Sequence, residues 1–282
     1  MQNETIAVMA DVHGNAGALR AVLADAKQHA ATRYWFLGDL FLPGPSTITL
    51  MKLLEDVQPE VWLNGNWELD MYAIMAGHFS LDHPSAVYVA RLTEYARQFI
   101  SEAQWDQLKA HPIATTLTVN GLTIGLSHND RKRPGGRDLY PAQPQANFDR
   151  FVTSDQDLAV YGHTHQQLMR PTTSGQLVIN PGAVGQPYSP WQPFFDDQRA
   201  HYALLHIDTA GRLDVEFRKV EYDIEAEKQL AAEKGVPYLD LYRYLRDTGN
   251  TITHNLPLLT KVNQEEGYLQ DVAAYYHKPL PE

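Results

Sequence analysis

Cysteine is absent from the 282 residues, and that single absence removes disulfides, thiolate zinc sites and thiol nucleophiles together. No apolar run is long enough to cross a bilayer, which takes about 20 residues. The opening Met1-Gln2-Asn3-Glu4 carries neither a basic leader nor a small-residue cleavage site, so no secretion signal is expected. A cytoplasmic location is the simplest expectation. Positive charge is scarce: Lys and Arg total 23 against 34 Asp and Glu, a formal net charge of −11. That sign argues against stable nucleic-acid binding and against anionic membranes. Internal repeats and low-complexity segments are also missing. The length allows one large domain with an appendage, or two small ones.

What is present is an alternation of strand-like and helix-like segments. Thr5 to Ala10 reads as a buried strand, and Asn15 to Ala30 as a helix with Leu19, Val22, Leu23 and Ala26 on one face. Arg33 to Leu37, a capped helix over Ser46 to Val57, and Glu60 to Leu63 complete a βαβαβ unit, which implies parallel strands. Residues 68–111 carry no strand signal and read as an inserted helical cap. One helix is expected near Pro84, and another at Ser101 with Gln104 completing a capping box. Strands resume at Thr115 to Val119 and Leu122 to Ser127, joined by the hairpin pair Asn120-Gly121. Further strands are expected at Leu158 to Tyr161, Gln167 to Arg170, Leu177 to Asn180, Tyr202 to Ile207 and Leu213 to Val220. Residues 1–221 are thus expected to form one α/β domain, with 222–282 as a helical C-terminal extension. Within the extension, helices are expected over Ile224 to Lys234 and from Pro237 to about Asp247; the last thirty residues are poorly patterned.

Polar residues gather just after these strands. Asp11 and His13 follow the first, Asp39 the second and Asn66 the third; His128 follows the hairpin, and His163 with His165 follow Leu158 to Tyr161. Ligand sites of open α/β sheets lie beyond the carboxyl ends of strands, so these seven side chains are expected to converge. Imidazole, carboxylate and one amide oxygen suit Mn, Fe or Zn better than Ca or Mg. Seven ligands exceed what one first-row ion needs, so two metals are expected, with Asp39 able to bridge them. The i, i+2 spacing of Asp11/His13 and His163/His165 would aim both members of each pair one way on extended backbone. Taken singly, Asp-Val-His is a helix cap and Gly-Asp a turn; the joint occurrence carries the metal reading. Asn66 adds a ligand without charge, which leaves the centre positive, attractive to phosphate and able to lower the pKa of bridging water. Glu68 would sit at the start of the next helix. The remaining histidines read as surface or packing residues.

Asp11-x-His13, Gly38-Asp39, Gly65-Asn66, His128 and Gly162-His163-x-His165, followed by Asn180-Pro181-Gly182, resemble the calcineurin-like metallophosphoesterase superfamily over roughly Thr5 to Val220. The small bacterial and archaeal phosphodiesterase branch, including diadenosine-tetraphosphatase-like enzymes, is most similar. The resemblance implies a four-layer α/β/β/α sandwich and a dinuclear centre. Asp11, His13 and His165 would hold one metal and Asn66, His128 and His163 the other, with Asp39 bridging. Asp39, Asn66 and His128 are accordingly the catalytic candidates. Two motif positions differ. Trp67 stands where many members have His, and an indole N–H cannot deliver a proton. Asn129 stands where many have Gly, and it leads into the basic run Asp130 to Asp138.

That run reads either as a solvated turn or as a grip on distal phosphates. Trp67, Asn129, Arg131, Lys132, Arg133 and Arg137 are therefore the substrate-binding candidates. Tyr188, Trp191, Phe194 and Phe195 are expected to pack rather than to stack on a base. The function expected is a soluble hydrolase with two divalent or trivalent transition ions, Mn or Fe first and Zn next. Attack by hydroxide held between the metals would split nucleotide-like phosphodiesters or phosphoanhydrides, dinucleoside polyphosphates being the favoured class. A phosphomonoesterase acting on proteins or small molecules is the first rival. A non-catalytic scaffold of the same fold, as in one retromer subunit, is the second. The oligomeric state is open, a dimer included.

Overall fold

The computed structural model describes residues 2–281. The first half runs β1 (Glu4–Met9), α1 (Ala16–Gln28), β2 (Arg33–Phe36), α2 (Ile48–Val57), β3 (Val61–Trp62), α3 (Asn66–Met75), α4 (Pro84–Arg97) and α5 (Glu102–Ala110). It continues with β4 (Ala114–Val119), β5 (Leu122–Ser127), α6 (Gln145–Phe151), β6 (Leu158–Tyr161), β7 (Gln167–Pro171), β8 (Leu177–Pro181), β9 (Ala200–Ile207) and β10 (Leu213–Val220). Four helices close the chain: α7 (Ile224–Glu233), α8 (Leu239–Thr248), α9 (Leu256–Glu265) and α10 (Tyr268–Tyr275).

The strands form two five-stranded sheets, ordered β10-β9-β1-β2-β3 and β4-β5-β6-β8-β7. In the first, β1, β2 and β3 are parallel, β9 runs antiparallel to β1, and β10 antiparallel to β9. In the second, β5, β6 and β8 are parallel, with antiparallel β4 and β7 at the edges. Alternation along β1 explains the layering. Ile6 and Val8 face the second sheet, in a core with Leu37, Ile124, Leu126, Val160 and Ile179. Ala7 and Met9 face the helices, in a core with Leu19, Val22, Leu50, Leu92 and Tyr242. Phe148 and Phe151 of α6 cover the outer face of the second sheet against Tyr161 and Val178. Two sheets flanked by helices result, as the alternating pattern predicts. Each fully buried Val, Leu or Ile contributes roughly 1.5–3 kcal/mol.

The local signals held where the chemistry was local. Asn15 caps α1, its Oδ1 accepting from the Ala18 N–H at 2.9 Å. Ser101 and Gln104 make the expected capping box on α5. Asn120 and Gly121, with φ of 47° and 91°, form the β4–β5 hairpin turn. Four expectations need correction. No side chain caps α2; it starts at Ile48, after Thr47. α8 begins at Leu239 rather than Pro237, because Tyr238 turns left-handed with φ +59°. α6 lies in a stretch where no helix was expected. The last thirty residues form α9 and α10, whose Leu259, Val272 and Ala273 bury against α4 and its neighbours. Each is short, and such helices are stabilised by packing rather than propensity.

Candidate active site

The seven metal candidates converge, as expected, past the carboxyl ends of β1, β2, β3, β5 and β6. Two groups stand out among the described residues: Asp11, His13 and His165, and Asp39, His128 and His163. Within each, the candidate ligand atoms lie within 4.8 Å of one another. Asn66 completes the second group. Its Oδ1 sits 2.8 Å from His163 Nδ1 and 3.2 Å from His128 Nε2. Asp39 stands between the groups, with Oδ2 at 3.3 Å from His128 Nε2 and 3.8 Å from His13 Nε2.

The route to convergence differs from the sequence expectation. Asp11, His13, Asp39, His163 and His165 all have positive φ, between 50° and 65°. The two i, i+2 pairs are therefore not on extended backbone. Each aims its side chains through left-handed turns, a conformation that costs of order 1–3 kcal/mol at a non-glycine residue. The surroundings enforce it. Val12 and His13 N–H groups both donate to the Asp39 carbonyl, at 2.8 and 3.1 Å, and the Asp11 N–H donates to Gly38. Gly65 is required by close approach, since a Cβ there would run into the Asp39 carboxylate.

Hydrogen bonds behind the cluster orient the rings. His13 Nδ1 donates to the Leu42 carbonyl and His128 Nδ1 to the Leu37 carbonyl, each at 2.7 Å, which turns both Nε2 atoms inward. His163 Nε2 faces the Gly136 carbonyl at 2.9 Å, leaving Nδ1 toward Asn66. Asp11 Oδ2 accepts from the His163 N–H at 2.9 Å, while its Oδ1 is buried with no hydrogen-bond partner among the described residues. That orphaned oxygen lies 3.4 Å from His165 Nε2 and 3.8 Å from His128 Nε2. A buried carboxylate oxygen beside inward-facing imidazoles is the donor set that a first-row cation fits. Burial pushes the pKa of His13 down, with His165 adding to it, and that of His163 down with His128, each to about 4. Burial opposes charge on His128 too, but Asp39 and then Asp11 outweigh it and raise it to about 9. Asp39 is held below the usual carboxylate range: burial works against this, and His128 prevails.

Glu68 has a larger part than a helix-start carboxylate. It is buried, and its two oxygens accept from the N–H groups of Gly65, Asp39 and Leu40, each at 2.8 Å. Burial, then the Asp39 charge, lifts its pKa to about 7. It ties the loops carrying the candidate ligands Asp39 and Asn66 together. Trp67 lies over the first group, edge-on to His13 at 5.8 Å, and its backbone N–H donates to Asp39 Oδ1. The 130–138 loop reaches the cluster through the Gly136 carbonyl, while Arg131, Lys132, Arg133 and Arg137 are exposed. Arg133 pairs with Asp138 at 2.6 Å, and Asn129 is buried with its amide facing Gly136. Trp191 and Phe194 do not pack as expected: they are 63% and 61% exposed.

Comparison with known proteins matches residues 5–210 to the calcineurin-like phosphoesterase superfamily domain. An uncharacterized protein of Methanocaldococcus jannaschii is 25% identical over 252 residues, covering 84% of this chain and 96% of the relative. The crystal structure of a metallophosphoesterase from Sphaerobacter thermophilus superposes with a TM-score of 0.64 at 25% identity, covering 87% of this chain and 100% of that one. A hypothetical protein from Pyrococcus horikoshii gives a TM-score of 0.70 at 18% identity, covering 88% and 99%.

Proposed function

The chain belongs to the calcineurin-like phosphoesterase superfamily, and from that premise we propose that it is a two-metal hydrolase of nucleotide-like phosphodiesters or phosphoanhydrides. The observation that supports this most directly is the pair of ligand groups meeting at Asp39, with a buried, unpartnered Asp11 oxygen between them. Asp11, His13 and His165 would hold one ion, and Asn66, His128 and His163 the other, with Mn or Fe the first candidates. Bound there, two divalent ions supply Lewis acidity toward the phosphoryl group and an activated water. The protein side does the rest. Two carboxylates against two divalent ions leave the centre net positive, so it draws the anionic substrate in. His13 and His128 are oriented by backbone carbonyls, so their nitrogens are fixed before substrate arrives.

Trp67 restricts the leaving group. It occupies the rim beside His13 and has no proton to give, and general acid help is typically worth about 10²–10⁴-fold. The preferred leaving groups are therefore stable anions such as a nucleotide phosphate or an aryl oxide. Dinucleoside polyphosphates fit that demand, and the exposed Arg131, Lys132, Arg133 and Arg137 stand where a loop touching His163 would meet distal phosphates. Residues 1–221 carry the chemistry on this reading, 222–282 support it, and the setting is cytoplasmic.

The test compares kcat/KM for diadenosine tetraphosphate, an aryl phosphodiester and glycerol phosphate at fixed Mn. The first two should exceed the third by at least 10²-fold. Comparable turnover of glycerol phosphate would overturn the reading and favour a phosphomonoesterase. Purified protein with no bound transition metal and no turnover would favour a scaffold.

A further inference from the structure

The segment between β5 and α6 sets one further side chain against the candidate ligands. Tyr140 is half-buried, and its ring meets the His163 ring edge-on, with centroids 6.2 Å apart and planes at 82°. The backbone on both sides of it is tied down. Leu139 is buried in one core cluster with Phe148 and Phe151, and its carbonyl accepts from the Tyr161 hydroxyl at 2.7 Å. The Tyr140 carbonyl accepts from the Gln143 N–H at 2.9 Å, and the Gln143 carbonyl from Arg170 at 3.1 Å. The ring is thus held at the cluster by a fixed support.

The hydroxyl is what the fold leaves unused. Burial raises its pKa; Arg137 opposes that, Asp11 and Tyr188 add to it, and no hydrogen bond among the described residues contributes. These neighbours say where the O–H lies. Asp11 belongs to the first ligand group, and the Tyr188 N–H faces the carbonyl of His165, of that same group, at 3.4 Å. The Tyr140 ring itself rests on His163 of the second group. The hydroxyl therefore faces the space over both groups, and a tyrosine O–H taken out of water normally has a partner. Arg137 is the basic side chain of the loop whose charge reaches it. Arg133 is turned back on Asp138 at 2.6 Å. Arg131 lies toward Asp155, whose carboxyl is lowered first by the Thr153 hydroxyl and further by that guanidinium.

We propose that Tyr140 is a catalytic residue, its hydroxyl donating a hydrogen bond to a non-bridging oxygen of the phosphoryl group seated at the two ligand groups. Arg137, beside it, takes the next phosphate of an anhydride. The assignment rests on the hydrolase reading above and narrows the four basic side chains of the loop to one. The phenol keeps its proton throughout, so no bond to hydrogen breaks. It acts on the charge spread over the equatorial oxygens in the transition state, as a donor fixed in place beforehand. The leaving group still departs unprotonated, in keeping with Trp67 beside the first group.

Tyr140→Phe removes the O–H and keeps the ring against His163, so metal content and melting temperature should match wild type. On full-length, Mn-loaded protein, inorganic phosphate is titrated by calorimetry, and kcat/KM is measured for methyl 4-nitrophenyl phosphate and methyl phenyl phosphate. Phosphate affinity should fall in Tyr140→Phe, and kcat/KM should drop for both esters by one common factor of about 10–100-fold, the worth of a hydrogen bond to a charged group. Arg137→Ala should raise KM for diadenosine tetraphosphate more than for methyl 4-nitrophenyl phosphate; equal effects would remove Arg137 from the assignment. Unchanged phosphate affinity and kcat/KM in Tyr140→Phe overturn it. So does a loss that grows with the basicity of the leaving group, which would make the phenol a proton donor, and so does a fall in metal content, which would make it a support of His163. Wild type that splits neither ester, while Tyr140→Phe still loses phosphate affinity, would overturn the hydrolase reading and leave the hydroxyl as a phosphate donor.

Discussion

Glu68 shows how one side chain can set a site it never enters. Its carboxylate accepts four N–H groups from two different loops, including that of Asp39 itself. Glu68→Gln keeps the shape but replaces one acceptor oxygen by a donor amide facing those N–H groups. The loss should be on the order of 2–3 kcal/mol of stability, the worth of a hydrogen bond to a charged group plus an unpaired donor. Metal affinity should fall by roughly 10–100-fold, as when other supports of a metal ligand are removed. Denaturant unfolding and metal content by mass spectrometry check the two parts; unchanged metal content would reduce Glu68 to a helix residue. The seven ligand candidates were legible because each follows a strand, and strands show in the sequence through apolar runs. Glu68 was not, because a carboxylate three residues into a helix is usual and nothing in the string reveals which loops it meets. The left-handed turns at Asp11, His13 and Asp39 were hidden for a related reason. Backbone strain is set by the contacts that enforce it, and those contacts come from elsewhere in the chain.

Among the elements, α8 has the least expected task. Its Arg246 is fully buried and donates through Nη1 to the Gly185 carbonyl. The Gly185 N–H in turn donates to the Asp11 carbonyl at 2.9 Å. Glu227 of α7 is buried nearby and accepts from the Gly17 N–H at 3.2 Å, at the start of α1. The extension thus reaches the first ligand loop from behind through two backbone contacts. Arg246→Leu leaves the Gly185 carbonyl only the longer 3.4 Å contact from Asn15 Nδ2 and removes the positive neighbour of Glu227, which should cost about 2–4 kcal/mol. If the extension only covers apolar surface, metal affinity will be unmoved; if it positions Asp11, metal affinity will fall together with stability. Thermal melting beside metal titration separates the two. Helical periodicity made α7 readable, since Asp223 caps it and Gly235 ends it. By contrast α6 and α10 span 7 and 8 residues, too few turns for an apolar stripe to stand out. α9 equals α7 in length and carries an Asn255 cap, so its signal was present in the sequence.

At the scale of the whole molecule, the candidate ligands come from both sheets. Asp11, His13, Asp39 and Asn66 follow strands of the first, and His128, His163 and His165 follow strands of the second. Bound ions would therefore staple two layers otherwise joined by the apolar core around Ile6, Leu37, Leu126 and Val160. Free metal at about 100 times Kd adds roughly 2.7 kcal/mol per site. Chelation should lower the melting temperature of wild type, and Asp39→Asn, which removes the carboxylate standing between both groups, should abolish most of that difference. An identical chelation shift in the variant would place Asp39 outside the ligand set. The order of strands in the first sheet has a separate consequence for how the chain is made. β1 lies at the centre, with Ile6 opposite Leu205 of β9, so the first strand synthesised waits for nearly the last. At about 5–20 residues per second the ribosome leaves that edge open for on the order of 10–40 s. During this interval a strand bearing Ile6, Val8 and Met9 offers unpaired backbone to any other nascent chain. A transcript cut short before residue 200 would yield a product with its central strand half-paired for good, a candidate for holdase capture rather than for a smaller working enzyme.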